Sequence, residues 1–186
     1  IKGSYEFAGQ KCSATSRLYL PESMYDEFMS IFKNKMSKLK FGSPEEDDNF
    51  VSAVIHSNSF DKGSSWINLN QDKVIYGGNC DNTTGYYIEP TIIKYDKMND
   101  NNFKEEIFGP VLSLYVYSDD KLEETLKSCV SLTDYKLTGS VFTQNESYLK
   151  LINKYVSKSV GNLYINDKST GSVVGNQPFG GFGKSG

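Results

Sequence analysis

The residue in this chain best suited to covalent chemistry is Cys12. It lies in Phe7-Ala8-Gly9-Gln10-Lys11-Cys12-Ser13-Ala14-Thr15-Ser16-Arg17, between a small-residue turn and the strand-like run Arg17-Leu18-Tyr19-Leu20. A thiol at such a bend sits beside backbone N–H groups that no ladder has claimed, which suits a nucleophile. A lone free cysteine is more often a small buried hydrophobe, so Cys12 needs partners elsewhere in the chain. Cys80 and Cys129 do not supply them. Three widely spaced cysteines fit neither a disulfide framework nor a zinc site, and point to a reducing compartment. The only histidine, His56, excludes a histidine-rich metal site, and no metal is expected. A Cys12–His56 dyad would require the two side chains within hydrogen-bond reach; the plainer role for His56 is surface or packing.

The elements that must position Cys12 can be read from periodicity. Residues 2–10 can close a helix with Gly9 as terminator, and 17–20 read as a strand stopped by Pro21. Tyr25, Phe28, Met29, Phe32, Met36 and Leu39 recur at three- and four-residue spacing, a helix with Ser23 as its N-cap. Gly42-Ser43-Pro44 ends it, and residues 45–49 form an acidic surface turn. A weaker helix is expected at 57–69, strands at 74–76 and 86–93, and a turn at Gly77-Gly78-Asn79. Pro90 implies a strand edge or bulge. Residues 96–102 read as a loop, 111–117 as a strand, 119–130 as a helix and 138–143 as a strand. A helix carrying Tyr148, Leu151, Ile152 and Tyr155 and a strand at 160–165 complete the series. Strands alternating with helices predict an α/β fold with an open, largely parallel sheet flanked by helices. Residues 166–186 hold many Gly, Ser and Asn without periodicity, a long loop of the kind that is usually functional.

The 186 residues suffice for one domain, no repeat or linker divides them, and 38% apolar content is ordinary for a globular chain. A formal net charge of −3 gives no electrostatic reason to expect nucleic acid or an anionic membrane as partner. No apolar run approaches the ~18 residues of a membrane span. Gly181-Phe182-Gly183-Lys184-Ser185-Gly186 formally matches G-x-G-x-x-G, but a dinucleotide fingerprint leaves a strand and opens a helix, and here Pro178 and Phe179 precede it. Pro178 also stands where a phosphate-binding loop needs its first glycine.

Three separated stretches carry a more specific signal: Gly9-Gln10-Lys11-Cys12, then Glu105-Glu106-Ile107-Phe108-Gly109-Pro110-Val111, then Pro178-Phe179-Gly180-Gly181. In this order and at these distances, they resemble the catalytic domain of the aldehyde dehydrogenase superfamily. The resemblance covers essentially the whole chain. Within that superfamily, Ser52-Ala53-Val54-Ile55 and Tyr164-Ile165-Asn166-Asp167-Lys168-Ser169-Thr170-Gly171-Ser172 resemble the branch that oxidises L-glutamate γ-semialdehyde to L-glutamate in proline catabolism. The resemblance implies that Cys12 is the catalytic nucleophile, passing through a thiohemiacetal and a thioester, with NAD as cofactor. It implies that Glu106 bonds the nicotinamide ribose and that Phe108 flanks the nicotinamide, Gly109-Pro110 setting the turn that brings both beside Cys12. It implies that Ser13, Gly171 and Ser172 hold the amino-acid end of the substrate, with Phe179 on its aliphatic carbons.

The resemblance further implies that residues 1–186 are part of the thiol-bearing catalytic domain. The NAD-binding domain, the water-activating glutamate and the asparagine of the oxyanion hole would lie upstream, and a C-terminal dimer segment downstream. The partners implied are a small aldehyde, the rest of its own chain and a second copy in a homodimer, with no nucleic acid and no membrane. The compartment implied is the mitochondrial matrix, although no targeting segment is visible. The 186 residues alone are expected to be inactive. A dehydrogenase for another aldehyde, a Cys–His hydrolase and a non-catalytic paralogue are the alternatives.

Overall fold

The computed structural model describes residues 1–173 and 175–186. They form two compact units, residues 1–118 and 119–186. The boundary at Ser118-Asp119 follows directly on a strand and carries no glycine or proline, so nothing in the composition marks it.

The first unit runs α1 (Lys2–Tyr5), β1 (Arg17–Pro21), α2 (Tyr25–Met36), β2 (Lys40–Phe41), β3 (Asn49–Val51), α3 (Ser57–Leu69), β4 (Val74–Tyr76), β5 (Cys80–Asp81), β6 (Tyr87–Ile88), β7 (Thr91–Tyr95), α4 (Asn101–Lys104) and β8 (Val111–Tyr117). Its main sheet has the order β1-β8-β7-β4. β1, β8 and β7 are parallel and β4 is antiparallel, which gives the mixed, largely parallel sheet expected. The central strands are the most apolar because both faces are covered: Val111, Leu112 and Leu114 of β8 and Ile92 and Ile93 of β7 are buried. α2 buries Met29, Phe32 and Met36, one stripe of an amphipathic helix, with Asp26 and Glu27 in its first turn and Lys33 and Lys35 in its last.

Two aromatic side chains pin the segments that lead into the sheet. Tyr5 is fully buried, and its hydroxyl donates to the Thr91 carbonyl at 3.1 Å. Burial also pushes its phenol well above its ordinary pKa, helped by Tyr76, so it remains a donor. Phe103 of α4 is fully buried among Tyr19, Tyr95 and Tyr115, with ring centroids 5.7, 5.5 and 6.2 Å away.

The second unit runs α5 (Leu122–Ser131), β9 (Tyr135–Lys136), β10 (Thr138–Val141), α6 (Glu146–Tyr155), β11 (Asn162–Ile165) and β12 (Phe182–Gly183). β10 and β11 pair in parallel from Thr138↔Asn162 to Val141↔Ile165, while β12 pairs antiparallel with β9. Asn145 caps α6 by accepting from the N–H groups of Ser147 and Tyr148.

Several local expectations are corrected. The 2–10 helix breaks after Tyr5, because Phe7, Ala8 and Gly9 all take left-handed φ, +54°, +54° and +67°. α2 ends at Met36 and has Met24 at its N-cap without a side-chain bond; Ser23 belongs to a preceding 3₁₀ turn. The 86–93 strand divides at Glu89-Pro90, since proline has no N–H for the ladder. The 96–102 loop gives way to α4 at Asn101, capped by Asp100. The 166–186 loop contains β12, whose two residues are too few to show a period.

Candidate active site

Cys12 is exposed at the centre of a turn closed by the Ala14 N–H to the Lys11 carbonyl, 3.0 Å. Among the described residues, its own N–H donates to no backbone acceptor, so that donor is available to a ligand. The turn is held from several sides. Gln10 accepts from the Ile55 N–H at 2.9 Å and donates to the Phe7 carbonyl at 3.3 Å. The Thr15 N–H donates to the Gly3 carbonyl at 2.9 Å. Lys11 is committed to Glu6, at 2.6 Å, and to the Phe7 ring, 4.8 Å from its centroid.

The second stretch leaves α4 and enters β8. Phe103 fixes its start, and the Thr91 N–H donating to the Pro110 carbonyl at 2.9 Å fixes its end. Between them Phe108 has φ +59° and is 46% exposed, an uncommon conformation for a bulky side chain. Among the described residues the Glu106 carboxylate makes no hydrogen bond or ion pair, leaving both oxygens to accept. Lys62 of α3 instead holds the backbone here, donating to the Glu106 carbonyl at 2.6 Å and lying 3.6 Å from the Glu105 carboxylate. The sequence gives no sign of this, because an exposed helical lysine reads as a solvated one.

Sheet register explains how two segments so far apart in sequence meet. Arg17 of β1 is level with Ser113 of β8 in a parallel pair. Cys12 lies five residues upstream of Arg17, and Phe108 five residues upstream of Ser113. Both loops therefore approach the amino ends of adjacent strands. A Cβ on Gly9 would lie 2.4 Å from the Gly109 carbonyl oxygen, so the absence of a side chain lets the loops close on each other. Gly9, Lys11, Thr15, Glu106, Phe108 and Gly109 are among the residues lining the resulting cleft; Cys12 is exposed beside this set. Ser13 shares the Cys12 turn and is half-buried.

The other expected residues lie in the second unit, in the loop leaving the carboxyl end of β11. Asn166, at φ +57°, turns the chain and pairs with Thr143 through both ends of its amide, at 2.9 and 3.1 Å. The Gly171 N–H donates to the Lys168 carbonyl at 3.2 Å. The Ser172 hydroxyl is bonded to the Tyr164 hydroxyl and accepts from the Gln177 side chain at 2.8 Å. Phe179 is half-buried, and the neighbouring Pro178 carbonyl accepts from Asn162 at 3.2 Å.

His56 has another occupation than a dyad. Its Nδ1 caps α3, accepting from the Ser59 N–H at 3.1 Å. Cys80 is exposed in β5 and Cys129 is half-buried in α5. The glycine run at 181–186 contains β12 and no helix, so it lacks the setting of a dinucleotide fingerprint. Among the described residues, no helix is long and apolar enough to cross a membrane.

A family model described as the aldehyde dehydrogenase family matches residues 1–186. The delta-1-pyrroline-5-carboxylate dehydrogenases of Dictyostelium discoideum and Homo sapiens, both named mitochondrial, are each 44% identical over 190 and 191 residues, covering 100% of this chain and 34% of the relative. The chain thus spans about a third of the length of these curated relatives. Among solved structures, the delta-pyrroline-5-carboxylate dehydrogenase of Mycobacterium tuberculosis superposes with a TM-score of 0.91 at 34% identity, over 100% of this chain and 35% of that one. The 1-pyrroline-5-carboxylate dehydrogenase from Thermus with bound NAD gives 0.86 at 34% identity, over 98% and 34%.

Proposed function

From the premise that the chain belongs to the aldehyde dehydrogenase family, we propose that it serves the NAD-dependent oxidation of L-glutamate γ-semialdehyde to L-glutamate, with Cys12 as nucleophile. The observation that carries this is the convergence of the Cys12 turn and the Glu106–Phe108 arm at the amino ends of two adjacent parallel strands.

On this proposal the Cys12 thiolate attacks the aldehyde carbon, forming the S–C bond while the carbonyl π pair moves to oxygen. The Cys12 N–H donates to that oxyanion; one such donor is typically worth roughly 3 kcal/mol of barrier. NAD, when bound, supplies the acceptor for the hydride that leaves the same carbon. The free Glu106 carboxylate suits a pair of ribose hydroxyls, and the half-exposed Phe108 ring offers a face to a flat heterocycle. Sulfur then departs from the thioester as water enters, a step that a thiolate leaving group makes easy. The residue that activates this water is assigned outside these 186 residues.

To the amino-acid end of the substrate the proposal assigns Ser13, Gly171, Ser172 and Phe179, as the family resemblance implies. Backbone N–H groups and a hydroxyl can hold a carboxylate without a cation. The branch and the mitochondrial location rest on the names of the relatives, and a homodimer on the family resemblance.

The test uses the full-length protein. Cys12→Ala removes NAD reduction by L-glutamate γ-semialdehyde, and Glu106→Gln raises KM for NAD roughly tenfold. Activity retained in Cys12→Ala would sink the assignment. Equal kcat/KM for simple aliphatic aldehydes would favour a dehydrogenase of another specificity.

A further inference from the structure

Three consecutive residues ahead of the Cys12 turn take left-handed backbone: Phe7 (φ 54°, ψ 37°), Ala8 (φ 54°, ψ 32°) and Gly9 (φ 67°). Glycine does this freely, but a Cβ makes the conformation costly for Phe7 and Ala8. Phe7 is 72% exposed, so burial of its ring does not compensate. Ala8 is buried and Gly9 is seated against the Gly109 carbonyl, which fixes the far end of the run. Backbone of this kind persists only where its surroundings over-determine it.

Gln10 supplies much of that constraint. Its own N–H and its side-chain Nε2 both donate to the Phe7 carbonyl, at 3.1 and 3.3 Å, taking both lone pairs of that oxygen. Its Oε1 accepts from the Ile55 N–H at 2.9 Å. The orientation of the amide is unambiguous, because a backbone N–H can only donate and a carbonyl can only accept. One side chain therefore joins the strained run to a backbone segment 45 residues away. That segment is itself anchored. Val54 is buried, its N–H donates to the Tyr86 carbonyl at 2.9 Å, and His56 caps α3. Lys11 adds a second hold on Glu6 and on the Phe7 ring, through side chains alone. Cys12 follows Gln10 by two residues, so the direction of its thiol and N–H depends on the backbone that Gln10 fixes.

We propose that Gln10 is a positioning residue, whose side-chain amide holds the left-handed run 7–9 against the Ile55 backbone and so aims the Cys12 thiol and N–H at the reacting carbonyl. This rests on the reading of Cys12 as nucleophile. It goes beyond that reading by naming the side chain that orients the nucleophile and the strained backbone through which it acts.

Kinetics of the full-length enzyme with L-glutamate γ-semialdehyde and NAD test the proposal. Gln10→Met keeps the length of the side chain and removes both of its hydrogen bonds. It is expected to lower kcat at least about tenfold, because the reacting atoms are misplaced, while KM for either substrate stays within about threefold. Ala8→Gly removes the Cβ that makes the run costly, so the turn needs less holding. Alone it leaves kcat within about twofold; added to Gln10→Met it restores kcat at least about fivefold. Two results would overturn the proposal: a Gln10→Met kcat within about twofold of the parent, or a loss that Ala8→Gly leaves in place. A purely structural glutamine would show the first, with a lowered urea midpoint and intact kcat. Should Gln10→Met not fold, Gln10→Glu carries the same test, since it keeps an acceptor for Ile55 and loses the donor to Phe7; the same loss and the same rescue are expected. Activity retained in Cys12→Ala would remove the nucleophile reading and the proposal together. An inactive Cys12→Ala with a failed rescue removes the proposal only.

Discussion

Phe108 occupies a conformation that its own packing does not explain. A bulky residue in the left-handed region is costly by about 1–2 kcal/mol, and with 46% of its surface exposed this one recovers little through burial. Strain of this kind tends to persist where a ligand needs it. Phe108→Gly should therefore alter stability by no more than about 1 kcal/mol in urea unfolding, where an ordinary core aromatic truncation costs roughly 3–5 kcal/mol. The same variant should raise KM for NAD several-fold. A loss of core size would mark Phe108 as a packing residue and leave its proposed role at the nicotinamide without support. At this scale the sequence foretold, through its motifs, that the Cys12 turn and the Glu106–Phe108 stretch lie side by side, as the Gly9–Gly109 approach shows; the roles of these residues are proposals. It was silent where the backbone broke the usual rules. Nothing in Phe7-Ala8 announces left-handed φ, since residues with a Cβ rarely adopt it, and nothing in Lys62 separates it from any other surface lysine.

Among the elements, the short helix α4 has the largest part in placing the Glu106–Phe108 stretch. Phe103 anchors it in the sheet, and Asp100 caps it, accepting from the Asn102 N–H at 2.8 Å and pairing with Lys73 at 3.0 Å. Burial alone would push the Asp100 carboxyl up, but the Lys73 and Asn102 hydrogen bonds outweigh it and hold the group below its ordinary pKa. A carboxyl depressed in the folded state contributes stability above its unfolded pKa and loses that contribution as pH falls through the folded value. Urea midpoints should thus fall between pH 6 and pH 3, mostly below pH about 4. In Asp100→Asn the midpoint starts lower at pH 6 and falls less over the same window. Parallel declines in the two proteins would show that the cap does not titrate with folding. Element bounds were readable where periodicity or burial was strong: α3 and β8 have the bounds expected of them. They were misread where a competing local rule acted, as with the 3₁₀ turn that displaces Ser23 from the cap and the proline that splits 86–93.

Over the whole molecule, two compact units share a chain with no compositional seam, so the division at Ser118-Asp119 was invisible in the sequence. The largely parallel sheet was legible because the order of strands and helices dictates it; the pairing of β9 with β12 was not, since two residues carry no period. The chain matches about a third of its curated relatives' length, and the water-activating step is assigned elsewhere. Residues 1–186 expressed alone should therefore give no NAD reduction with L-glutamate γ-semialdehyde, measured as absorbance of the reduced cofactor. Turnover by this segment would return the whole reaction to the residues described above. The paired strands β1 and β8 have one more consequence. With Arg17 level with Ser113, Cys12 and Phe108 each stand five residues ahead of one paired position. Around Cys12 and Phe108 the chain is turn, bend and loop rather than ladder, so the register of β1 on β8 fixes where the two loops leave the sheet, and the Gly9–Gly109 approach fixes how close they come. Slipping β1 by one residue against β8 would carry the foot of the Cys12 turn about 3.3 Å along the sheet while the Phe108 loop stayed in place. The alignment of two paired strands thus sets the spacing of two exposed side chains that never touch the ladder.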